Sequence, residues 1–508
     1  MVPNVSEKIK QLASKRILIL DGAMGTMIQA CCPGEQLKGC NDALCLTMPE
    51  LISGIHEAYL RAGADIIETC SFNSTPVSLA DHGLADSAYK ISFAAAALAR
   101  KAADGFSTPD KPRFVAGSMG PTSKNLSFSQ NMDDPGKRDI SWDELEAAYY
   151  ENGRGLIDGG ADLIIIETVF DTLNAKAAIF AIRRLGRERG IDVPLIVSAT
   201  VSNDRGRLLS GQSVEAFCVS VLPANPLAVG LNCSFGPEKL KPHIASLSAV
   251  TPCLVSAHPN AGLPNKTGAY DESPESMAGH VEEYLREGLV NIVGGCCGST
   301  PAHIAAIAAR AEKYAPRPIP ALPKQLFLSG LEPHKISREQ ILSHTEKAAR
   351  AADKNKFLTL INERNYEDAV DIVRDTIDAG AAFFDVCADD MRPDAASAVS
   401  GFLNQALLYS DIARLPVIIS SSRWDVIEAA LKCLQGKALV NSISLREGGA
   451  AFLRRSNLAR AYGAAIIVTL HDEEGQAATE DRKTAVKSRC EKLLSDSGFP
   501  PEEVIFAH

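Results

Sequence analysis

The chain has 508 residues and a formal net charge of -10, with 52 Lys and Arg against 62 Asp and Glu. That length exceeds one ordinary core, so two domains are expected, and the acidic balance argues against nucleic acid as a partner because phosphate binding needs a basic surface. No run approaches the roughly 18 apolar residues of a membrane-spanning helix. Residues 1–15, which carry Glu7, Lys8, Lys10 and Lys15, lack the apolar centre of a signal peptide, so no membrane partner is expected and the cytoplasm is the default location.

Short apolar runs alternate with helical patterns through the first 315 residues. The runs are 16–22, 64–69, 113–120, 161–168, 194–201, 226–233, 252–259 and 289–296, and amphipathic segments such as 48–62, 143–159, 173–190 and 276–287 separate them. Near-continuous Val/Ile/Leu strands joined by helices imply a parallel sheet covered on both faces. Eight such units predict an α/β fold of the (β/α)8 TIM barrel type over 1–315, with a doubly wound sheet as the alternative. The proline-rich stretch that begins at 316 reads as a stiff linker, assigned to 316–335. The βα rhythm then resumes over 336–508, with strands expected at 381–386, 415–420, 438–445, 464–470 and 503–507 and helices at 366–379 and 424–434. Five strands cannot close a second barrel, so this half is read as an incomplete TIM-barrel-like α/β domain. Either the natural chain continues or another surface covers the open sheet.

In a barrel of this kind catalytic groups lie at the C-terminal ends of the strands, and the polar residues obey that rule. The first strand runs into Asp21-Gly-Ala-Met-Gly-Thr26, the second into Glu68-Thr69, the third into Gly117-Ser-Met-Gly-Pro121 and the fourth into Glu167-Thr168. The sixth ends at Gly230-Leu-Asn232-Cys233, the seventh at His258-Pro-Asn-Ala-Gly262 and the eighth at Gly294-Gly-Cys-Cys-Gly298. Thirteen cysteines without a secretory signal favour metal or catalytic use over disulfides. Cys218, Cys253 and Cys433, inside apolar stretches, read as small core residues.

Cys233, Cys296 and Cys297 come from distant parts of the chain and can meet at one zinc ion. Three sulfurs leave a tetrahedral ion one open position, the mark of a catalytic site, and a substrate thiol suits it. Adjacent residues on a regular strand face opposite ways, so Cys296 and Cys297 need the freedom of Gly294, Gly295 and Gly298 to share a metal. The other reading is two core thiols and an unrelated third. A metal-held thiol stays deprotonated near neutral pH, and three thiolate ligands keep the fourth sulfur electron-rich, which favours alkyl transfer to sulfur over hydrolysis. Asp21, Glu68 and Glu167 are candidates to bind an ammonium group; their other reading is support of the βα loops. The glycine-rich turns at 22–25 and 117–120 are neither a P-loop nor a dinucleotide fingerprint, and close approach of the backbone to a small substrate explains them.

These segments, together with Phe72-Asn-Ser-Thr75, Val169-Phe-Asp-Thr-Leu-Asn174 and Asn260-Ala-Gly-Leu-Pro264, resemble the homocysteine-binding barrel of cobalamin-dependent methionine synthases over residues 10–315. The resemblance implies that Cys233, Cys296 and Cys297 ligate zinc and activate homocysteine. It places Asp21, Glu68, Glu167 and Asn232 in the substrate site. Cys70 departs from the family, which has Asn after Glu-Thr.

Residues 325–508 resemble the front of the same family's folate-binding barrel through Leu328-Ser-Gly-Leu-Glu-Pro333, Val440-Asn-Ser-Ile-Ser-Leu445 and Asp472-Glu-Glu-Gly-Gln476. The family's Gly-Glu-Arg-Thr-Asn strand motif is missing: its expected place, 343–350, is helix-like, and Asn362-Glu-Arg-Asn365 fits the start of the following helix instead. Ser420 and Cys387 stand where an Asp and an Asn are expected. Folate binding is therefore expected to be weak or absent, with Asn441 as a surviving cofactor contact. No Asp-x-His-x-x-Gly motif occurs, so cobalamin is expected only through a separate corrinoid protein. The expected activity is zinc-dependent methyl transfer to homocysteine, giving methionine. The alternatives are a small donor such as betaine or S-methylmethionine, and a second domain that only docks a corrinoid protein.

Overall fold

The computed structural model describes residues 4–31, 40–129, 131, 134, 136–265, 270–349, 354–387 and 394–507. They form two compact units. The first comprises Met1–Lys124, Asp143–Ser210 and Pro226–Leu322; the second comprises Asn125–Trp142, Gly211–Asn225 and Pro323–His508.

Eight parallel strands build the first unit: β1 (Leu18–Ile19), β2 (Ile66–Glu68), β3 (Phe114–Met119), β4 (Leu163–Val169), β5 (Leu195–Ala199), β6 (Ala228–Asn232), β7 (Leu254–His258) and β8 (Ile292–Val293). They pair in the order β1-β8-β7-β6-β5-β4-β3-β2, and a parallel bridge between Leu20 and Ile66 joins the two ends of that series. This is the expected TIM-barrel-like fold. Every residue of β3, β5, β6 and β7 is buried, which is why these strands read as continuous apolar runs rather than alternating ones.

Local signals set the helices around the sheet. The helix Thr172–Arg189 starts at Asp171, whose carboxylate accepts from the Leu173 amide, and stops at Gly190 with φ +65°. Ser273 caps Pro274–Arg286 by accepting from the Ser276 amide, with proline in its first turn. The charged N-terminal segment is itself a helix, Val5–Ala13, capped by Asn4. Its apolar residues Ile9 and Ala13 join the cluster of Leu18, Ile66, Phe114, Leu163, Leu227 and Leu254 near the strand starts, so it plugs the end of the barrel opposite the site.

The second unit holds a parallel sheet of five strands, 384–387, 417–420, 439–443, 465–469 and 504–507, hydrogen-bonded in that order. An antiparallel hairpin, β9 (Leu326–Ser329) and β10 (Pro333–Ile336), precedes it. The sheet strands are β11 (Phe384–Cys387), β12 (Val417–Ser420), β13 (Leu439–Ile443), β14 (Ala465–Thr469) and β17 (Val504–Ala507), at the five expected places; a two-residue hairpin, β15 (His471–Asp472) and β16 (Gly475–Gln476), follows β14. Within the stretch read as linker, 316–325 carries no regular element, whereas the hairpin does: Leu326, Leu328 and Ile336 share a core cluster with Ile418, Leu439 and Ile467. Where the family's first-strand motif is expected the chain is helical over Arg338–Ala349, and Arg350 lies outside the described residues. Asn362 ends another helix, Lys354–Asn362, and Asn365 precedes Tyr366–Asp378, so 362–365 is a helix junction. Among the described residues no helix is long and apolar enough to cross a membrane.

Candidate active site

Backbone geometry brings the three sulfurs together. β6 ends at Asn232, and the next two residues, Cys233 and Ser234, adopt φ +63° and +61°. Non-glycine residues in that region are disfavoured by roughly 1–2 kcal/mol each, so the turn must be held from outside; the Cys233 amide donates to His258 O at 3.0 Å. β8 ends at Val293, which places Cys296 and Cys297 in the turn beyond it and removes the constraint of strand alternation. Gly298 turns with φ +80°. Gly294 and Gly295 serve close packing instead: an added Cβ would lie 2.7 Å from Asp21 O at the first and 2.4 Å from Ser299 Oγ at the second. The Cys296 amide donates to Pro259 O at 2.8 Å and Cys297 O accepts from the Ala261 amide at 2.9 Å, fixing the turn to the loop after β7.

The ligand atoms of Cys233, Cys296 and Cys297 all lie within 4.8 Å of one another, and the Cys233 and Cys297 sulfurs are 3.8 Å apart. Zinc with Zn–S bonds of about 2.3 Å in a tetrahedron sets sulfurs about 3.8 Å apart, so the donor set and its spacing fit that ion. Hydrogen bonds from Cys233, then Cys296, and a further one from the Tyr270 phenol, pull the Cys297 thiol down to about 3. Hydrogen bonding to Cys233 and Cys297, then burial, pushes Cys296 well up. The trio is a soft-donor set suited to a cation. Tyr270 was not foreseen. It pairs with Pro264 in an isolated bridge and lies over Gly298, where an added Cβ would sit 2.3 Å from its own. No periodicity marks it in the sequence.

Three carboxylates gather in the same barrel. Asp21 and Glu167 are buried and Glu68 is half-buried. Asp21 Oδ2 accepts from the Glu68 amide at 3.0 Å, while Asp21 Oδ1 and Glu68 Oε1 are buried without a hydrogen-bond partner among the described residues. Ser118 Oγ donates to Glu167 Oε1. Burial, and then mutual repulsion with Glu167, pushes Asp21 and Glu68 well above the carboxylate range. Burial raises Glu167 to about 7, opposed by the Ser118 hydrogen bond and helped by the charge on Cys297. Crowded, under-partnered acids of this kind are what a ligand ammonium would relieve. Asn232 is fully buried, and its side chain bonds within the protein to Thr168, Ser198 and Cys296.

The glycine turns approach protein atoms. A Cβ on Gly22 would lie 2.7 Å from Ser299 Oγ, and one on Gly120 would lie 2.6 Å from Phe72 O. Cys70 is buried, its thiol directed to Asn41 O at 3.7 Å. Cys218 is buried as expected, and Cys253 and Cys433 are half-buried.

In the second unit Asn441 Nδ2 donates to Ser420 Oγ at 3.0 Å, and Ser420 Oγ donates to Asp385 Oδ1 at 2.8 Å. Ser420 is in register with Asn441 on β13, while Asp385 on β11 lies two residues before Cys387, the register partner of Ser420. Ser420, standing where an acid was expected, thus sits beside Asp385 on the next strand.

Residues 351–507 match the family described as pterin binding enzyme. Among solved structures, the metallated form of the homocysteine methyltransferase MmuM from Escherichia coli is 27% identical, with 59% of this chain and 98% of that chain covered and a TM-score of 0.47. Its oxidized form is 26% identical, with 59% and 97% covered and a TM-score of 0.48. Residues 18–311, more than half of the 508, match the family described as homocysteine S-methyltransferase, and the chain belongs to that family.

Proposed function

We propose that this chain forms methionine by transferring a methyl group to the thiol of homocysteine, with Cys233, Cys296 and Cys297 holding zinc and a separate corrinoid protein supplying the methyl group. The observation that carries the reading is the 3.8 Å spacing of the Cys233 and Cys297 sulfurs within a trio spanning no more than 4.8 Å. Zinc held there would supply the positive charge that keeps the homocysteine thiol deprotonated near neutral pH. Asp21, Glu68 and Glu167 take the ammonium end, and the substrate charge relieves their mutual repulsion. Holding the amine fixes the direction of the sulfur, and that alignment with the methyl carbon lowers the barrier. The sulfur forms a bond to the methyl carbon as the donor–methyl bond breaks, and that bond's electron pair stays with the donor.

The second unit carries a half-buried row, Asp385, Ser420 and Asn441, in the sheet that matches pterin binding enzymes. We assign Asn441 as the surviving folate contact and expect weak or no folate binding, the alternative being that this unit only docks the corrinoid protein. The test is methionine formation from homocysteine by zinc-loaded protein, offered methylcobalamin, methyltetrahydrofolate, betaine and S-methylmethionine in turn. Turnover with methylcobalamin supports the proposal. Turnover with betaine or S-methylmethionine alone replaces the corrinoid donor, and no turnover with any donor overturns the activity.

A further inference from the structure

Asn232 joins two parts of the mouth that are far apart in sequence. Its side-chain oxygen accepts from the Thr168 amide at 2.9 Å and from Ser198 Oγ at 2.7 Å. Its amide nitrogen donates to Thr168 Oγ1 at 2.8 Å and approaches Cys296 Sγ at 3.9 Å. Both lone-pair directions of the oxygen and both N–H groups are therefore committed inside the protein, which leaves the side chain no spare group for a ligand. Thr168 is unusual in its own right. It is β-branched, yet adopts φ +55°, and the pairing of β4 with β5 shifts register between Ile166 and Val169 around it. A branched residue in that region is a conformational outlier that persists only when its surroundings enforce it, and Asn232 grips it through both its amide and its hydroxyl.

We infer that Asn232 is a positioning residue: by clamping Thr168 in a left-handed conformation it aims Glu167 at the substrate amine. The inference rests on the proposed role of Glu167 in binding the ammonium group. Its action is indirect, through the Thr168 backbone, so its loss should be felt by ligands that carry the amine and not by those that lack it. Glycine at 168 adopts a positive φ without strain, and should make the clamp dispensable.

The experiment compares homocysteine with 4-mercaptobutanoate, which lacks the amino group, by calorimetric titration of the zinc-loaded full chain. Wild type should prefer homocysteine. Asn232→Ser should lower that preference by about tenfold, the scale of one misplaced charged hydrogen bond, while affinity for 4-mercaptobutanoate changes by no more than about twofold. Adding Thr168→Gly to Asn232→Ser should restore most of the preference, a rescue that general loosening would not give. If Asn232→Ser keeps the wild-type preference, or Thr168→Gly fails to restore it, the inference is overturned. If Asn232→Ser loses its zinc, Thr168→Ala, which leaves Cys296 untouched, decides: a reduced preference supports the inference and an unchanged one overturns it. A wild type that shows no preference at all overturns instead the assignment of Glu167.

Discussion

The two units both end parallel strands in polar residues, yet the two sets of ends differ in kind. In the first, Asp21 Oδ1 and Glu68 Oε1 are buried without hydrogen-bond partners among the described residues, and three sulfurs lie within 4.8 Å of one another. In the second, Asp385, Ser420 and Asn441 hydrogen-bond one another along the strand ends. Buried polar atoms left without partners cost about 1–3 kcal/mol each, a cost that a fold retains where a ligand relieves it. The first mouth therefore has the electrostatics of a site waiting for a cation and an ammonium, while the second has largely satisfied itself. This contrast explains why the methyl acceptor is assigned to the first unit and why folate binding in the second is expected to be weak.

Breaking the first side of that contrast should have the largest effect. Cys233→Ala removes one of three soft donors, and is expected to abolish zinc retention and lower kcat/KM by about 10³-fold, the several kcal/mol that a metal contributes to such a barrier. Metal analysis and a methyl-transfer assay on the same sample check it; retained zinc with full turnover would refute the assignment. Glu167→Gln keeps the shape but removes the charge. It should weaken homocysteine binding by about 10- to 100-fold, read as a rise in KM with zinc content unchanged.

A stability measurement sharpens the comparison from below the mouth. His56, in the helix Pro49–Arg61, is fully buried, neither ring nitrogen has a hydrogen-bond partner among the described residues, and burial lowers it to about 4. The unfolded chain binds the proton first, near 6.5, so this residue contributes stability that is fully present above pH 6.5 and lost as pH falls toward 4. Between pH 6.5 and 5 the loss is about 2 kcal/mol. His56→Leu should flatten the fall in the urea midpoint over that range, and an unchanged slope would contradict it. The smallest effect belongs to the second unit: Asn441→Ala should leave methyl transfer from methylcobalamin within about twofold of wild type, the range of ordinary substitutions away from a site. A large loss would show that Asn441 takes part in that reaction.

Much of this was legible before any coordinates. The repeating apolar runs locate all eight strands of the barrel and all five of the second sheet, because fully buried parallel strands leave an unbroken Val/Ile/Leu signal. Cys233, Cys296 and Cys297 stand out because each follows such a run. What escaped depends on contacts rather than on pattern. The helix Val5–Ala13 hides behind its charges, although Ile9 and Ala13 are buried in the core and Val5 and Leu12 pack against it. The hairpin at 326–336 overlaps the linker expected over 316–335, because its short apolar runs are interrupted by Pro and Gly, yet Leu326, Leu328 and Ile336 pack into the second core. Tyr270 reaches Cys297 from a loop whose own sequence carries no chemical motif, and the bond from Ser118 to Glu167 joins two strand ends that the sequence marks only separately. The left-handed turn at Thr168 is invisible because the residue type argues against it.

The central claim is that one zinc ion sits on three cysteine sulfurs with a place left for the acceptor thiol. X-ray absorption at the zinc edge of the purified full chain measures this directly. The account predicts one zinc per chain with three sulfur neighbours at about 2.3 Å, rising to four when homocysteine is added. A chain that takes up no zinc, or a zinc whose sulfur count is the same with and without homocysteine, would contradict it.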